Sequence, residues 1–363
     1  MEMNRKWSRE ELEQFGQYVM DWSIIHPRPM PWKYFSDPYA IWIAEIILQQ
    51  TRVEQGKEYF VKFLDRFPNL ESLARASLDD VMKLWEGLGY YSRARNMHFT
   101  ARHVWNELGG RFPNNARDLS KLKGIGSYTS AAIASFAFGE KIGVVDGNVK
   151  RVVSRYFGIT EDINQVATHR KIQDLVTAVV QIHPSADFNQ AIMNFGAMAC
   201  TPRNPICPEC PARHSCRAYK SNLVDRIPHK NRPRSKQIRW INFGVYEQNG
   251  QIALVQNREA NIWKNLYMFP VLGAYPDLTF SLKESKNYET FPYPLIDSLE
   301  WNLTHRKLMI QFYRVSSWPA SWNLLHNIEF VDHGNLDNFA IPRPLRLFLN
   351  QKSRKLGINR KHD

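Results

Sequence analysis

Residues 119–133 read LSKLKGIGSYTSAAI, and this stretch decides the fold of the N-terminal part of the chain. The leucines before the glycines are spaced as on a short helix, and the small residues after them are typical of a second helix. Gly124 and Gly126 allow a tight turn between the helices and let backbone N–H groups approach a phosphate. Lys123 lies beside this turn. The stretch predicts a helix-hairpin-helix motif, which binds the DNA backbone without reading sequence, with an ordinary glycine-rich turn as the alternative.

Hydrophobic patterning around this stretch predicts two domains of different class. Apolar residues recur every three or four positions, which predicts a mainly helical domain over 1–222. Basic residues and prolines then predict an extended linker over 223–237. From 238 to 350 the pattern changes to alternation, with a hairpin signal at Asn249-Gly250, and predicts a small α+β domain. The last segment, 351–363, is a basic tail that we expect to fray.

The composition limits the classes of protein to which the chain can belong. A hydrophobic fraction of 44% over 363 residues excludes a wholly disordered chain. The 48 Lys and Arg exceed the 35 Asp and Glu, which favours a polyanionic partner, nucleic acid first. No apolar run approaches the ~18 residues of a membrane span, and the first residues lack the apolar region of a secretory signal. We therefore expect a soluble, cytoplasmic protein without a membrane partner.

The cysteines point to a metal site. All four lie in one 17-residue window with the spacing C-x6-C-x2-C-x5-C, as Cys200, Cys207, Cys210 and Cys216. A secreted disulfide framework would spread over a whole domain, so this cluster indicates metal binding. Zinc sites more often use two separated C-x2-C pairs, whereas one compact loop can hold an iron–sulfur cluster. We favour one [4Fe–4S] cluster and keep zinc as the alternative.

Two carboxylates stand in unusual sequence surroundings. Glu45 lies within IWIAEIILQQT, a predicted helix that is apolar on most sides, and Asp146 lies within IGVVDGNVKRVVSR, just before a new helix. If Glu45 is buried, desolvation raises its pKa and lets it hold a proton at neutral pH, as a general acid must. The alternatives are a solvated helix glutamate for Glu45 and a helix N-cap or turn residue for Asp146.

This order of hairpin, aspartate and cysteine loop resembles the helix-hairpin-helix DNA glycosylases that carry an iron–sulfur cluster. Further segments are similar to the adenine DNA glycosylase branch of that family, namely RPMPW at 28–32, DPYAIWIAEIILQQT at 37–51, WEGLGYYSRARN at 85–96, VVDGNVKRV at 144–152 and FNQAIMNFGAMAC at 188–200. The resemblance implies a mainly α, two-lobed glycosylase with an iron–sulfur loop at 200–216. Through WKNLYMFP at 263–270 and NLTHRKL at 302–308, residues 238–350 resemble the C-terminal Nudix-like domain of that branch.

The resemblance implies a DNA repair glycosylase. Such an enzyme flips adenine out of a mispair with 8-oxoguanine or guanine and hydrolyses its N-glycosidic bond with acid assistance. Glu45 matches the residue that protonates the adenine, and Asp146 matches the residue that stabilises the sugar cation. Asn148 and Tyr128 match residues that orient Asp146 and the sugar. Tyr128 also stands where bifunctional lyases carry a lysine, so the resemblance implies a monofunctional enzyme.

Further family positions concern the two bases of the mispair. Those that match the adenine pocket are Arg28, Trp32 and Gln190. Gln50 and Tyr90 match the residues that intercalate on the lesion side, and Gln49 and Thr51 are also expected to bind the substrate. In the C-terminal domain, Leu303-Thr304-His305 stands where the family usually has Phe-Ser-His, so Thr304 and His305 are expected at the lesion. The region has no helix of clustered glutamates, so hydrolysis of nucleoside diphosphates is not expected.

Other functions on the same sequence pattern stay open. A thymine or uracil mismatch DNA glycosylase uses the same scaffold, a non-catalytic lesion-binding protein would keep the DNA-binding parts, and a zinc-binding DNA protein would keep the cysteines. The Gln-Gln-Thr segment, the catalytic set and the C-terminal domain favour the adenine glycosylase. We expect a monomer that acts on double-stranded DNA, and the linker is a candidate docking segment for repair proteins.

Overall fold

The chain divides into two compact units. The computed structural model describes residues 7–231, 236–258, 262–272, 290–325 and 328–355. Unit 1 comprises Met1–Ser72 and Thr100–Arg232, and unit 2 comprises Leu73–Phe99 and Pro233–Asp363.

Helices dominate unit 1, which confirms the mainly helical character predicted for it. In chain order, the α-helices of the described residues are α1 (Arg9–Ile25), α2 (Pro38–Leu48), α3 (Val53–Arg66), α4 (Leu70–Arg75), α5 (Leu78–Leu84), α6 (Ser92–Glu107), α7 (Ala116–Leu119), α8 (Ser127–Phe138), α9 (Gly147–Phe157), α10 (Val166–Ile182), α11 (Ser185–Met198), α12 (Arg217–Lys220) and α13 (Arg343–Lys355). Helices α5 and α13 belong to unit 2, and α4 and α6 run across the boundary. Over the described ranges, no helix combines the length and apolar character that a membrane crossing requires.

Helix α2 carries one carboxylate candidate into the protein interior. Asp37 caps the helix by accepting a hydrogen bond from the Tyr39 backbone N–H at 3.0 Å, and Pro38 occupies the first turn. Every residue from Tyr39 to Ile47 is buried, so this part of the helix has no exposed stripe. Glu45 lies in the middle of this buried part.

The hairpin predicted from the glycine pattern is present between α7 and α8. Leu122 and Ile125 are buried and anchor the turn, while Gly124 has a φ of 83°, a left-handed conformation that favours glycine. At Gly126 an added Cβ would meet nothing within 4 Å, so the turn is open to an approaching group. Helix α8 begins at the next residue, which places its N-terminal backbone amides at this opening.

One core of unit 1 fixes the position of α9. It gathers α1, α9, α10 and α11 around Phe15, Val152, Val176 and Ile192, all of which are buried. Partly buried cysteines of the loop after α11 pack against the same core. Burial of this apolar surface is what holds the four helices together. The residue that begins α9 therefore has a defined place in unit 1.

Unit 2 contains a twisted sheet with a helix on it, which confirms the predicted α+β class. The strands of the described residues are β1 (Gln237–Gln248), β2 (Gln251–Gln256), β3 (Tyr267–Met268), β4 (Leu295–Asn302), β5 (Arg306–Val315) and β6 (Ile328–Asp332). Their order is β3-β2-β1-β5-β4, β6 pairs with β2, and β1 and β5 are parallel. The predicted Asn249-Gly250 hairpin joins β1 to β2, and Phe348 of α13 stacks on Phe312 of β5 at 3.9 Å.

Unit 2 also contains residues 73–99, which the sequence patterns place in the helical domain. The reason lies in side-chain contacts with the C-terminal part of the chain. Arg346 forms an ion pair with Glu86 at 2.6 Å, and Lys83 donates to the Phe339 carbonyl at 3.2 Å. Hydrophobic periodicity alone does not reveal such contacts, because the partners are far apart in the chain.

The predicted linker is shorter in the structure than the span 223–237. Ile227 is buried, and its carbonyl accepts a hydrogen bond from Arg155 Nε at 2.9 Å, so this part packs on unit 1. Strand β1 already begins at Gln237. Residues 232–235 of the linker and 356–363 of the predicted basic tail lie outside the described residues.

Candidate active site

Glu45 is a buried carboxyl group with an altered proton affinity. It is 6% exposed. Loss of hydration raises its pKa from 4.5 to about 7, and the negative charge of Asp146 adds to the rise. A hydrogen bond from the Tyr128 hydroxyl favours the ionised carboxylate and opposes the rise. Near neutral pH, Glu45 therefore exists in both protonation states.

Asp146 begins α9 and is held by two hydrogen bonds. Its Oδ1 accepts from the Val149 backbone N–H at 2.7 Å, and its Oδ2 accepts from the Asn148 side-chain amide at 2.8 Å. Burial raises the pKa of Asp146, while these hydrogen bonds and the positive charge of Arg151 oppose the rise. The N-terminus of a helix also favours a negative charge. Asp146 is thus an N-cap, as one alternative predicted, and that role does not remove it from the neighbourhood of Glu45.

A chain of hydrogen bonds runs from Asp146 to the cysteine loop. Asn148 Oδ1 accepts from Arg151 Nη2 at 3.0 Å, which leaves the Asn148 amide to donate to Asp146. The same guanidinium donates to the Gly196 carbonyl at 2.6 Å and to the Cys200 carbonyl at 2.7 Å. Arg151 therefore fixes which end of the Asn148 side chain faces Asp146.

Gly196 of α11 leaves the space that Asn148 occupies. An added Cβ at residue 196 would lie 2.7 Å from Asn148 Cβ and 3.1 Å from the Asn148 carbonyl oxygen. Side-chain carbons do not pack this closely, so any larger residue would force α9 and α11 apart. The absence of a side chain at residue 196 is therefore part of how Asn148 is positioned.

A cavity beside Glu45 contains two of the three residues predicted for adenine. Trp32 and Gln190 line it together with Glu45. Its other lining residues are Lys33, Phe35, Ile41, Ala44, Phe136, Ala186 and Asp187. Arg28 is half-buried and does not line this cavity. Aromatic walls with a few polar groups suit a planar base.

Tyr128 connects the glycine hairpin with Glu45. It lies in the first turn of α8, directly after the hairpin glycines, and is half-buried. Burial, the nearby carboxylates of Glu45 and Asp146, and its hydrogen bond to Glu45 together raise the pKa of Tyr128 well above 10. Tyr128 is therefore a neutral hydrogen-bond donor at physiological pH.

The Gln-Gln-Thr segment lies where α2 ends. Gln49 Nε2 donates to the Thr129 hydroxyl at 3.1 Å, which ties the end of α2 to α8. Gln50 is exposed and has a φ of 56°, and Thr51 is half-buried, with its hydroxyl donating to the Gln49 carbonyl at 3.4 Å. Lys123 is exposed at the hairpin, and its carbonyl accepts from the Thr100 hydroxyl at 2.7 Å.

The four cysteines line one cavity of unit 1, so the structure brings them together. Arg155 Nη1 lies 3.4 Å from Cys200 Sγ, and burial raises the pKa of the Cys210 thiol to about 11. Among the described residues, no three His, Cys, Asp or Glu side chains are arranged around one metal ion. In a [4Fe–4S] cluster each cysteine binds a different iron, so the sulfurs need not converge on one point. Four thiols lining one cavity fit an iron–sulfur cluster, and four cysteines are also a donor set that zinc ions use.

The residues predicted for the lesion in unit 2 lie next to each other. The Tyr90 hydroxyl and the Thr304 hydroxyl form a short hydrogen bond. Tyr90 is 48% exposed and has a φ of 48°, so its ring lies at the surface and not in a core. Thr304 and His305 are exposed in the turn between β4 and β5. Both hydroxyls are available at the surface of unit 2.

Sequence reasoning missed three residues that the structure places at these sites. Arg151 donates to Asn148, and Asp187 lines the cavity beside Glu45. Arg93 donates to the Leu88 carbonyl in the turn over 86–90, which we call the Tyr90 turn. The signal for Arg151 was its position three residues after Asn148, which puts both on one side of α9. The other two had no local signal.

Comparison with known proteins identifies the two parts of the chain. Residues 43–178 match the HhH-GPD superfamily of base excision DNA repair proteins, and residues 241–351 match the NUDIX domain. The adenine DNA glycosylase of Buchnera aphidicola subsp. Schizaphis graminum is 34% identical over 338 residues, which cover 92% of this chain and 97% of that protein. The human adenine DNA glycosylase is 41% identical over 217 residues, which cover 57% of this chain and 40% of that protein.

Solved structures share the helical fold. A thermostable thymine-DNA glycosylase is 32% identical with a TM-score of 0.55, and the match covers 58% of this chain and 98% of that chain. Endonuclease III in a non-covalent complex with DNA has a TM-score of 0.50 at 20% identity, over 60% of this chain and 99% of that chain. The second likeness bears on the fold alone.

Proposed function

The chain belongs to the adenine DNA glycosylases of the HhH-GPD superfamily of base excision DNA repair proteins, and on this basis we propose that it excises adenine mispaired with 8-oxoguanine or guanine. The observation that carries the proposal is the buried Glu45, whose pKa is raised to about 7 beside Asp146 and a cavity. A general acid works best when its pKa lies near the working pH. No other described carboxyl group has both this environment and a cavity lined by aromatic residues.

Duplex DNA binds, in this proposal, at the hairpin of unit 1. The open approach at Gly126 and the first amides of α8 suit a phosphate, and Lys123 adds a positive charge beside them. The formal net charge of +13 attracts the DNA backbone without sequence preference. Adenine then leaves the base stack, because its glycosidic bond is inaccessible inside the duplex. We expect a single copy of the chain to suffice.

Glu45 acts as the acid in the proposed reaction. The cavity lined by Trp32 and Gln190 holds the flipped adenine, and the protonated Glu45 donates to N7 of the base. Protonation turns adenine into a better leaving group. After the bond breaks, the ionised Glu45 helps to activate the attacking water. The hydroxyl of Tyr128 steadies Glu45 after it has lost its proton.

Asp146 supplies the negative charge in the proposed reaction. The sugar develops oxocarbenium character as the glycosidic bond lengthens, and a nearby carboxylate stabilises that cation. The hydrogen bonds from Val149 and Asn148 favour the ionised form of Asp146, against the effect of burial, and fix its position. Tyr128 stands where a Schiff-base lysine would be needed for strand cleavage, so the proposed enzyme is monofunctional.

The lesion base has its own proposed contacts. In unit 1, Gln50 and Thr51 follow α2 and fill the space that the flipped adenine vacates. In unit 2, the exposed Tyr90 stacks beside 8-oxoguanine, while Thr304 and His305 contact its edge. Leu303 stands where the family has Phe, so this chain stacks less aromatic surface on the lesion.

The cysteine loop would hold one [4Fe–4S] cluster. Cys200, Cys207, Cys210 and Cys216 would each bind one iron, and Arg155 lies beside the first of these sulfurs. Such a cluster, when bound, cross-links the loop at four points and can exchange an electron. A purified protein should be brown and contain iron and acid-labile sulfide. A colourless protein with one bound zinc would overturn this assignment.

The decisive experiment compares wild type and Glu45→Gln in single-turnover assays on DNA with adenine opposite 8-oxoguanine. We expect the variant to bind the duplex but to release adenine at least ~10³-fold more slowly, since Gln has no proton to donate. Glu54→Gln is the control, because Glu54 is exposed on α3. Adenine release at the wild-type rate by Glu45→Gln would refute the acid role.

A second candidate function follows from the likeness to a thymine-DNA glycosylase. A panel of duplexes with G·T, G·U, A·G and A opposite 8-oxoguanine separates the two candidates. We expect release of adenine only. Release of thymine or uracil, without release of adenine, would replace the proposed function by mismatch pyrimidine excision. Binding without any base release would leave a lesion-binding protein.

A further inference from the structure

In unit 2, Glu86 and Arg346 form an ion pair, and Glu86 lies four residues before the exposed Tyr90. We propose that this pair holds the Tyr90 turn against the loop 303–305 and thereby sets the preference for 8-oxoguanine over guanine. The inference rests on the proposed function, since it assumes that Tyr90 and Thr304 read the lesion. It assigns to Glu86 and Arg346 a positioning role, with no contact to the reacting atoms.

The pair is well formed and largely shielded from water. Arg346 Nε donates to Glu86 Oε1 at 2.6 Å, and Arg346 Nη2 donates to Glu86 Oε2 at 3.2 Å. The two side chains are 12% and 15% exposed. Bidentate pairs fix the relative orientation of both groups, and partial burial removes the screening that weakens surface pairs. The geometry is therefore that of an anchor rather than of a loose surface contact.

Further bonds tie both partners to the same stretch of chain. Arg346 Nη2 donates to the Phe339 carbonyl at 2.8 Å and to the Leu336 carbonyl at 3.1 Å. Lys83 donates to Glu86 Oε2 at 2.7 Å and also to the Phe339 carbonyl at 3.2 Å. One carboxylate and one backbone carbonyl are thus each held by the same two cations. After loss of Glu86, Arg346 would keep its single contact with the exposed Asp337, at 3.2 Å, but the bidentate link to the stretch before Tyr90 would be gone.

The turn between Glu86 and Tyr90 transmits this position to the tyrosine. Gly89 has a φ of 70°, and its carbonyl accepts from Trp85 Nε1 at 3.0 Å and from Arg93 Nη2 at 3.2 Å. The Arg93 guanidinium lies 4.9 Å from the Trp85 ring centroid and 5.7 Å from that of Tyr90. These contacts hold the turn together, so a change in the position of Glu86 should also change that of Tyr90.

Thr304, the partner of Tyr90, is connected to Arg346 through strand β5 and helix α13. Thr304 lies in the turn that leads into β5, and Phe312 of β5 stacks on Phe348 of α13 at 3.9 Å. Arg346 is on the same helix, two residues before Phe348. The hydrogen bond between Tyr90 and Thr304 therefore closes a ring that begins and ends at the ion pair.

This ring explains why the pair should affect selectivity. Guanine and 8-oxoguanine differ only at C8 and N7, so the discriminating contacts must be held in a narrow position. If Tyr90 and Thr304 were free to shift, they would lose contacts to 8-oxoguanine, and the protein would bind guanine nearly as well. The pair has no proposed contact with the reacting atoms, whereas Glu45 and Asp146 have one. Substitution of Glu86 or Arg346 should therefore change the rate of glycosidic bond cleavage little.

The test uses binding, so that it does not depend on catalysis. Dissociation constants are measured for two duplexes in which a reduced abasic site stands opposite 8-oxoguanine or opposite guanine. The proteins are wild type, Glu86→Gln, Arg346→Lys, Tyr90→Phe and the double variant Glu86→Gln/Tyr90→Phe. The control is Glu247→Gln, which breaks another partly buried pair of unit 2, with His333 at 2.9 Å. Thermal unfolding of every protein shows whether the fold is kept.

We expect wild type to prefer the 8-oxoguanine duplex and Glu86→Gln to lose about fivefold of that preference, equivalent to ~1 kcal/mol. Arg346→Lys keeps the charge but not the bidentate geometry, so it should lose a smaller part. The double variant should lose no more than the larger single effect, because Glu86 acts through Tyr90. Glu247→Gln should keep the full preference.

Three results obtained with the variants would overturn the inference. One is an unchanged preference in folded Glu86→Gln, and another is an equal loss of affinity for both duplexes, which indicates structural support only. The third is fully additive effects in the double variant. If wild type prefers 8-oxoguanine but releases no adenine, the proposed enzymatic function fails, and the inference is still decided by the preference of Glu86→Gln. If wild type binds both duplexes equally, the inference fails even when adenine is released.

Discussion

The carboxylate site of unit 1 and the hydroxyl pair of unit 2 differ most in their exposure to water. Glu45 is 6% exposed, whereas Tyr90 is 48% exposed. Burial gives Glu45 a pKa near 7, which an exposed glutamate would not have. The proposed contacts of Tyr90 and Thr304 with the lesion require the surface, because DNA can be reached only from there. The proposed chemistry thus depends on excluding water from Glu45, and the proposed recognition of the lesion depends on the exposure of Tyr90 and Thr304.

The largest expected effect concerns Asp146, which has both a structural and a proposed catalytic role. Asn is as good an N-cap as Asp, so Asp146→Asn should keep α9 while removing the negative charge. We expect adenine release to slow by ~10³-fold or more, because the sugar cation loses its counter-charge. Single-turnover assays on DNA with adenine opposite 8-oxoguanine measure this.

Helix α2 offers the matched control for Asp146. Asp37 is also an N-cap aspartate, and it accepts from the Tyr39 backbone N–H. Asp37→Asn should leave the rate within about twofold of wild type, as a cap-to-cap exchange should. Equal losses in both variants would mean that Asp146 acts only as a cap.

The next effect concerns pH. Glu45 must be protonated to act, and burial raises its pKa to about 7, so the rate should fall as pH rises through that value. Each further pH unit should lower the single-turnover rate about tenfold, since the protonated fraction falls tenfold. Tyr128→Phe removes a hydrogen bond that lowers the pKa of Glu45, so this decline should move to higher pH in that variant. A decline that is identical in both proteins would assign it to another group.

A smaller effect is expected at Arg151, which acts indirectly, by donating to Asn148, the residue that donates to Asp146. Arg151→Lys keeps the charge but cannot bond Asn148, Gly196 and Cys200 at once. We expect adenine release to slow about tenfold through misplacement of Asn148. The pH at which the rate declines should stay the same, because Glu45 is untouched. A change in that pH, or an unchanged rate, would contradict this role.

The smallest effect is expected in unit 2. Thr304→Val removes the hydrogen bond to Tyr90 but keeps the shape of the side chain. We expect adenine opposite 8-oxoguanine to be released about threefold more slowly, the effect of one exposed hydrogen bond. Adenine opposite guanine should be released at nearly the wild-type rate. An equal slowing on both substrates would make Thr304 a structural residue and would weaken the contrast between the two units.

Features set by neighbouring residues were predictable from the sequence. The hairpin at Gly124 and the strand turn at Asn249-Gly250 each depend on local backbone preferences, and the structure confirms both. The aspartate before α9 was predictable for the same reason. Its proposed catalytic role rests on the family resemblance and stays a prediction.

Features set by packing were not predictable from the sequence. The sequence of an apolar helix with one glutamate does not decide whether the glutamate is buried or exposed. Only the structure, in which α2 is packed on all sides, shows that Glu45 is buried. Glu86 and Arg346 are 260 residues apart, and nothing in either segment indicates the other. The assignment of residues 73–99 to unit 2 follows from such contacts, which is why the predicted domain boundary differs.

The close approach of Gly196 to Asn148 makes the site vulnerable to the smallest change that a protein can undergo. A variant with one extra methyl group at this position would keep every charge, every cysteine and both carboxylates. We expect it nevertheless to be a poor repair enzyme, because the added carbon would lie 2.7 Å from the Cβ of Asn148, whose side-chain amide donates to Asp146. A survey of inherited variation that scores only charge or polarity would class such a change as harmless.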